Sequence, residues 1–201
     1  MNRTMKTAGF GLLAATFAVG AAGCQPKAAE DAAGPAAAAP PAAAAGATAG
    51  EAAAGSHEGT EEGAKAMLAE FVKPGADHAA LSKALRPDKA DLEAIFEGDL
   101  AAKADAVYGP AWDSGDLVVA PKPGQTEVKL SSATSEEIKS GTGAAADLPG
   151  GWKQVADKLK PGVRFYRFSF VEPGKDSGMA FDGLVHVNGH WRIAPKPWRV
   201  L

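Results

Sequence analysis

Large apolar side chains are absent from Gln25 to Thr60 and recur in a regular pattern from Glu61 onward. Ala64, Met67, Leu68, Phe71 and Val72 fall at helical spacing, and Pro74-Gly75 stops the run. A short second helix is predicted next, with Asp77 as its N-cap and Leu81 and Leu85 four residues apart. Pro87-Asp88 opens the longest periodic stretch. There Leu92, Ile95, Phe96, Leu100, Ala104 and Val107 form one stripe, and Gly109-Pro110 predicts its end. Asp91, Glu93, Glu97, Lys103 and Asp105 lie opposite that stripe, which predicts a solvated face.

After Trp112 the period changes from helical to alternating. Leu117–Ala120 and Thr126–Ala133 are expected strands, separated by Pro121-Lys122-Pro123-Gly124. Thr134-Ser135-Glu136-Glu137 has capping-box spacing and predicts a short helical turn. Gly141–Gly151 reads as a flexible loop, and Trp152, Val155 and Leu159 as one face of a short helix ended by Pro161-Gly162. Val163–Glu172 and Met179–Val187 are the strongest strand signals. Asn188-Gly189, between two apolar runs, predicts a tight hairpin into His190–Ala194.

Helices first and antiparallel strands afterwards make an α+β layout: N-terminal helices packed on a curved, mainly antiparallel sheet. This element order resembles the nuclear transport factor two-like, cystatin-like cone. The resemblance covers most of Glu61–Leu201 and rests on order, not on a diagnostic motif. It implies a ligand in the cone mouth, and the enzymes of that fold use Asp, His and Tyr there. The stretch from Asp182-Gly183-Leu184 to Pro195-Lys196-Pro197-Trp198-Arg199 also resembles the tails of uncharacterised envelope proteins.

The chain start reads as an address. Met1–Thr7 carries Arg3 and Lys6 and no acid, and Ala8–Ala22 is an apolar run rich in Gly and Ala. That is the pattern of a secretory signal peptide, too short for a good spanning helix. Ala21-Ala22-Gly23-Cys24 resembles the lipobox of bacterial lipoproteins, with Ala where Leu is usual. The resemblance implies a signal peptide over residues 1–23. It also implies a Cys24 that carries a diacylglyceryl thioether and an N-acyl group such as palmitate. Cys24 is the only cysteine in the chain, so no disulfide forms within it.

Composition sharpens the division. Alanine supplies 45 of 201 residues, and 17 of the 36 from Gln25 to Thr60. With Pro35, Pro40 and Pro41 among them, residues 24–60 are expected to be a lipidated cysteine followed by a disordered tether. Residues 61–201 hold all four Trp and are expected to form one domain. The implied location is the cell envelope, at the outer membrane or the outer face of the inner membrane. A net charge of −3 argues against nucleic acid as a partner.

Catalytic signatures are missing: no H-E-x-x-H, G-x-S-x-G, P-loop or EF-hand motif occurs. No cofactor is expected. Gly141-Thr142-Gly143 lacks the preceding strand a dinucleotide fingerprint needs. His186 and His190 are placed on opposite sheet faces by a two-residue turn, so no metal site is expected. The same register puts Asp182, Leu184, His186, Trp191 and Ile193 on one face, with Arg164 and Tyr166 alongside. Asp182, His186, Tyr166 and Trp191 are thus a possible ligand pocket. The plainer and preferred reading puts Leu184, Trp191 and Ile193 in the core, with Asp182 and His186 at its rim.

The last residues are basic. Leu148–Leu201 has nine bases against four acids, while Glu61–Asp147 has nine bases against 16 acids. Lys196, Trp198 and Arg199, with Trp191, could meet a glycan or a membrane surface. The preferred functional expectation is a lipid-anchored, non-enzymatic binding or accessory protein. Its partner would be an envelope protein, a glycan or a small ligand. The alternatives are a small-ligand enzyme using Asp182, His186 or Tyr166, and a surface binder working through the basic C-terminal stretch.

Overall fold

A computed structural model describes residues 57–201. The expected signal peptide, Cys24 and nearly all of the expected tether lie outside the described residues. The end of that tether lies inside them and is built into the domain. The Thr60 side chain accepts a hydrogen bond from Gly63 N (3.1 Å) and so caps α1, Glu61–Ala69. A Cβ on Gly59 would stand 2.5 Å from His186 Nδ1, so this segment lies directly on the sheet.

Four helices precede the sheet. Helix α2 spans His78–Ala84, and Asp77 caps it by accepting from Ala80 N (3.0 Å). The long stripe expected from Pro87 to Gly109 is two helices, α3 (Lys89–Ile95) and α4 (Leu100–Asp113). They part because Phe96 turns extended and bridges Leu159, with Glu97 N donating to Lys158 O (2.7 Å) and Lys160 N to Ile95 O (2.9 Å). Gly98 then turns the chain at φ +65°. Nor does Gly109-Pro110 end α4. Pro110 forfeits one helical hydrogen bond, but the carbonyl it orphans belongs to exposed Ala106, where water can serve it. The extra turn buries Trp112, whereas Val107, expected in the stripe, is exposed.

Strands β1 (Glu127–Thr134), β2 (Arg164–Val171), β3 (Gly178–Val187) and β4 (His190–Ile193) form one antiparallel meander in the order β1-β2-β3-β4. Thr134 and Glu137 form the expected capping box at the start of α5, Ser135–Ser140. Helix α6, Trp152–Val155, runs on into a 3₁₀ turn, as does much of the loop before it at Gly143–Asp147. Asn188 (φ 52°) and Gly189 (φ 84°) both take the left-handed conformation that a type I′ hairpin turn needs. Leu117–Ala120 is not a strand. Val119 N donates instead to the Ser82 hydroxyl of α2 (2.8 Å), so a side chain stands where a ladder partner was expected.

Both faces of the sheet are covered. On one face, Tyr166, Phe168, Phe170, Leu184, Trp191 and Ile193 pack under Met67, Leu68, Phe71 and Leu85 from α1, α2 and their flanks. On the other, Phe165, Val185 and Ala194 pack with Leu92, Ile95, Leu100, Trp152 and Val155. At about 1.5–3 kcal/mol for each large side chain taken fully out of water, both cores contribute substantially to stability.

Candidate functional site

The register between β2 and β3 decides where the candidate residues go. Phe168 pairs with Phe181 and Arg167 with Asp182, but Tyr166 pairs with Leu184. Gly183 is therefore an extra residue, a β-bulge. Its φ of +83° suits glycine, and a Cβ there would fall 2.2 Å from the Ala194 carbonyl oxygen. The bulge reverses the alternation. Asp182 shares a face with Arg167, while Leu184, His186 and Trp191 share the opposite face with Tyr166. The expected common face of Asp182 with His186 and Tyr166 is thus corrected: the sheet itself separates them.

On the first face Tyr166, His186 and Trp191 pack against one another rather than around a space. Tyr166 and Trp191 are fully buried, with their rings edge to face at 5.4 Å. His186 meets the Trp191 ring edge-on at 5.1 Å under Gly59. Burial holds the His186 imidazole below its ordinary range, and the neighbouring His190 adds to this. Burial likewise raises the Tyr166 phenol, with the positive charge of Arg164 opposing it.

On the second face Asp182 accepts a hydrogen bond from Trp152 Nε1 (3.0 Å). Burial holds its carboxyl above the ordinary carboxylate range, although the Trp152 bond and the charges of Lys196 and Arg167 pull the other way. Asp182 lies at the edge of a groove of about 380 Å³. One wall is Leu117, Val118 and Val119, and the other is the first half of β3, Met179 to Asp182. Trp112 and Ile193 close it below, and Lys196 and Arg199 stand exposed at its rim. Two sets of residues that the sequence kept apart, Asp182 and the pair Lys196 and Arg199, therefore line one site.

The rim is held in an unusual conformation. Lys196 has φ +41°, left-handed for a residue with a side chain and more crowded still because Pro197 follows. Its carbonyl accepts from the Tyr108 hydroxyl (3.1 Å) and from Arg199 N (3.0 Å). Burial raises the Tyr108 phenol, with Arg199 lowering and Asp182 raising it further. Trp198 is half-buried, its ring edge-on to Trp152 at 5.8 Å over Gly151, where a Cβ would collide with it at 2.1 Å. Neither Trp191 nor Trp198 is a free aromatic surface. Sequence reasoning overlooked Tyr108, Trp112 and Leu117–Val119 as site residues. It had one usable signal for the geometry: a glycine inside a strong strand pattern, which marks a bulge.

A second polar cluster lies behind the hairpin. Asp91 is 1% exposed, although its place opposite the apolar stripe predicted a solvated side chain. It accepts hydrogen bonds from Arg192 Nε (2.7 Å), Asn188 Nδ2 (2.8 Å) and His190 Nε2 (3.0 Å), and from Asp88 N (3.2 Å). Arg192 also donates to the Ala84 carbonyl (2.7 Å). Every partner belongs to α2, α3 or the β3–β4 hairpin, so the cluster clamps helix to sheet. Burial raises the Asp91 carboxyl, but the bonds from Arg192, Asn188, Asp88 N and His190 outweigh it and leave it below the ordinary range.

Among the described residues no three His, Cys, Asp or Glu side chains converge as a metal-binding set, and no helix is long and apolar enough to cross a membrane. The fold and site define an α+β domain with a two-sided core and a lateral groove. No family model, curated protein or solved structure matches the chain.

Proposed function

We propose that this is a lipid-anchored cell-envelope protein whose folded domain binds a ligand in the groove between Leu117–Val119 and the first half of β3. The anchor rests on the basic start, the apolar run and the Ala21-Ala22-Gly23-Cys24 lipobox pattern. Residues 25–56 then serve as the tether. Two acyl chains anchor a protein stably, so a triacylated Cys24 would hold it permanently at the membrane.

One observation carries the binding role. The groove joins apolar walls, a half-buried carboxyl at Asp182 and two exposed cations at Lys196 and Arg199. Its volume falls within the range of ligand sites. Binding is favoured over catalysis because the groove presents no paired groups for acid–base work. Asp182 is the one carboxyl among its described lining residues, and the Tyr108 hydroxyl is committed to the Lys196 carbonyl.

Each half has its own test. Wild-type protein is expected to partition with membranes and to incorporate labelled palmitate in cells, and Cys24→Ser is expected to do neither. For the groove the probe is 8-anilinonaphthalene-1-sulfonate, an apolar anion. Its fluorescence should rise on the full-length chain, and Val118→Asp and Arg199→Glu, both at exposed positions, should weaken binding about tenfold or more. Unchanged binding in both variants would remove the groove from the proposal.

A further inference from the structure

Strand β3 is longer than its partner. It runs from Gly178 to Val187, but β4 pairs only with Leu184–Val187. Past that point Ala194 N donates to Gly183 O (2.9 Å), and the chain then leaves the sheet at Pro195. From Met179 to Asp182, β3 is hydrogen-bonded to β2 on one side. Among the described residues no strand pairs with its other side. Backbone groups alternate in direction along an antiparallel strand, so about half of those in this stretch point outward.

Free edges of this kind are normally blunted by lysine, proline, a covering helix or a bulge within the edge. The opposite edge of the sheet follows that rule: β1 carries Glu127 and Lys129 and lies beside the Gly143–Asp147 turn. Met179-Ala180-Phe181 carries no such device itself, and the Leu117–Val119 segment faces it across the groove of about 380 Å³ without pairing with it. The bulge at Gly183 comes after the free stretch, whose register with β2 is unbroken, and this edge is one wall of the groove. A largely apolar groove along an unpaired strand offers main-chain partners to an extended backbone.

We propose that the groove takes an extended segment of a partner protein as a fifth strand on Met179–Asp182, one whose side chains alternate apolar and acidic. This rests on the reading of the groove as a binding site and names its occupant. Main-chain hydrogen bonds to the β3 edge supply affinity. Apolar side chains on one face of the added strand meet Val118, Phe181 and Ile193. Acidic side chains on the other reach Lys196 and Arg199, the two exposed cations of the groove, which outnumber the single carboxyl among its described lining residues, Asp182. The left-handed Lys196, tied down through its carbonyl by Tyr108, holds that cation at the channel mouth.

The probe is the blocked hexapeptide Ac-Glu-Val-Glu-Val-Glu-Val-NH2, titrated into the ¹⁵N-labelled full-length chain and followed by NMR. The expected result is saturable movement of the Met179, Ala180, Phe181 and Asp182 amides. Methylating every second peptide nitrogen should abolish it, since that removes main-chain donors and leaves the side chains. The double variant Lys196→Glu/Arg199→Glu should weaken binding by about a hundredfold, roughly tenfold for each charge reversed. A Lys-for-Glu version of the peptide should bind that double variant better than it binds the wild type. Equal binding of the methylated peptide overturns strand addition. If decanoate moves the same amides while no peptide does, the groove stands and its occupant is not a strand. If neither moves them and the sulfonate probe also fails, the binding site itself is refuted.

Discussion

Asp91 offers the sharpest quantitative test, because a carboxylate 1% exposed faces an arginine whose side chain is 13% exposed. Asp91→Ala leaves the Arg192 guanidinium largely out of water with the Ala84 carbonyl as its remaining non-local partner. Breaking a buried pair by removing one member costs about 3–5 kcal/mol, most of it the penalty for the stranded charge. For a folded unit of this size that lowers the melting temperature by roughly 10–15 °C. Arg192→Leu should cost about 2–3 kcal/mol, because Asp91 loses its arginine but keeps the bonds from Asn188, His190 and Asp88 N. The double variant leaves neither charge without its partner, so it should recover at least a third of the summed loss, a coupling of about 2 kcal/mol or more. The pH dependence has a definite sign. The folded-state carboxyl lies below its ordinary value, so its contribution is fully present above about pH 4 and is lost as the pH falls through the folded value. The stability gap between wild type and Asp91→Ala should therefore narrow on acidification below pH 4. Urea denaturation followed by circular dichroism, on all four proteins from pH 3 to 7, measures both effects. Strictly additive single losses, or an Asp91→Ala cost below about 1 kcal/mol, would refute the buried-clamp account.

Three further outcomes are expected. Gly183→Ala must place a Cβ 2.2 Å from the Ala194 oxygen at positive φ and should cost at least about 2–3 kcal/mol, whereas Gly189→Ala, with open space at φ +84°, should cost about 1 kcal/mol; equal costs in denaturant titrations would show that the bulge is not sterically required. Lys196→Gly relieves a left-handed residue and should raise stability by up to about 1 kcal/mol in the same titrations while weakening the sulfonate probe, and a loss of stability there would contradict the strain. Because the folded His186 imidazole lies below its ordinary value, the unfolded chain binds the proton more readily, so stability should fall as the pH drops below about 6.5 and level off beneath the folded value; His186→Gln should flatten that decline, and an unchanged pH profile would speak against it.

The class of fold was legible because its signals are local. Asp77, Thr134 with Glu137, and Asn188-Gly189 each act within four residues, and each element they mark is present. The errors arose where a distant partner decided the outcome. The helix across Phe96 breaks because Lys158, Leu159 and Lys160 compete for its backbone, and nothing near Phe96 announces them. Helical phase alone assigns Asp91 to solvent. Its cap to Asp88 is local and could have been read, but Arg192, the partner that offsets the cost of burial, is 101 residues away. Leu117–Ala120 has strand composition yet spends its Val119 amide on the Ser82 hydroxyl.

The candidate site failed in a more instructive way. Assigning Asp182 and His186 to one face assumed strict alternation, and a single added residue inverts every side chain beyond it. Gly183 sits midway through a run otherwise suited to a strand, where glycine weakens the sheet and packs nothing. That local disadvantage is informative, since the strand keeps glycine at the one position where the Ala194 carbonyl leaves no room for a Cβ. The same bulge that sends Asp182 to the second face lets Gly183 accept the Ala194 amide, the contact after which β4 departs from β3. The edge of β3 is left open from Met179 to Asp182 as a consequence. One glycine therefore dismantles the pocket that alternation implied and helps to create the groove in its place. The surviving candidates, Asp182, Lys196 and Arg199, are those that the bulge and the Pro195-Lys196-Pro197 turn carry to its two sides.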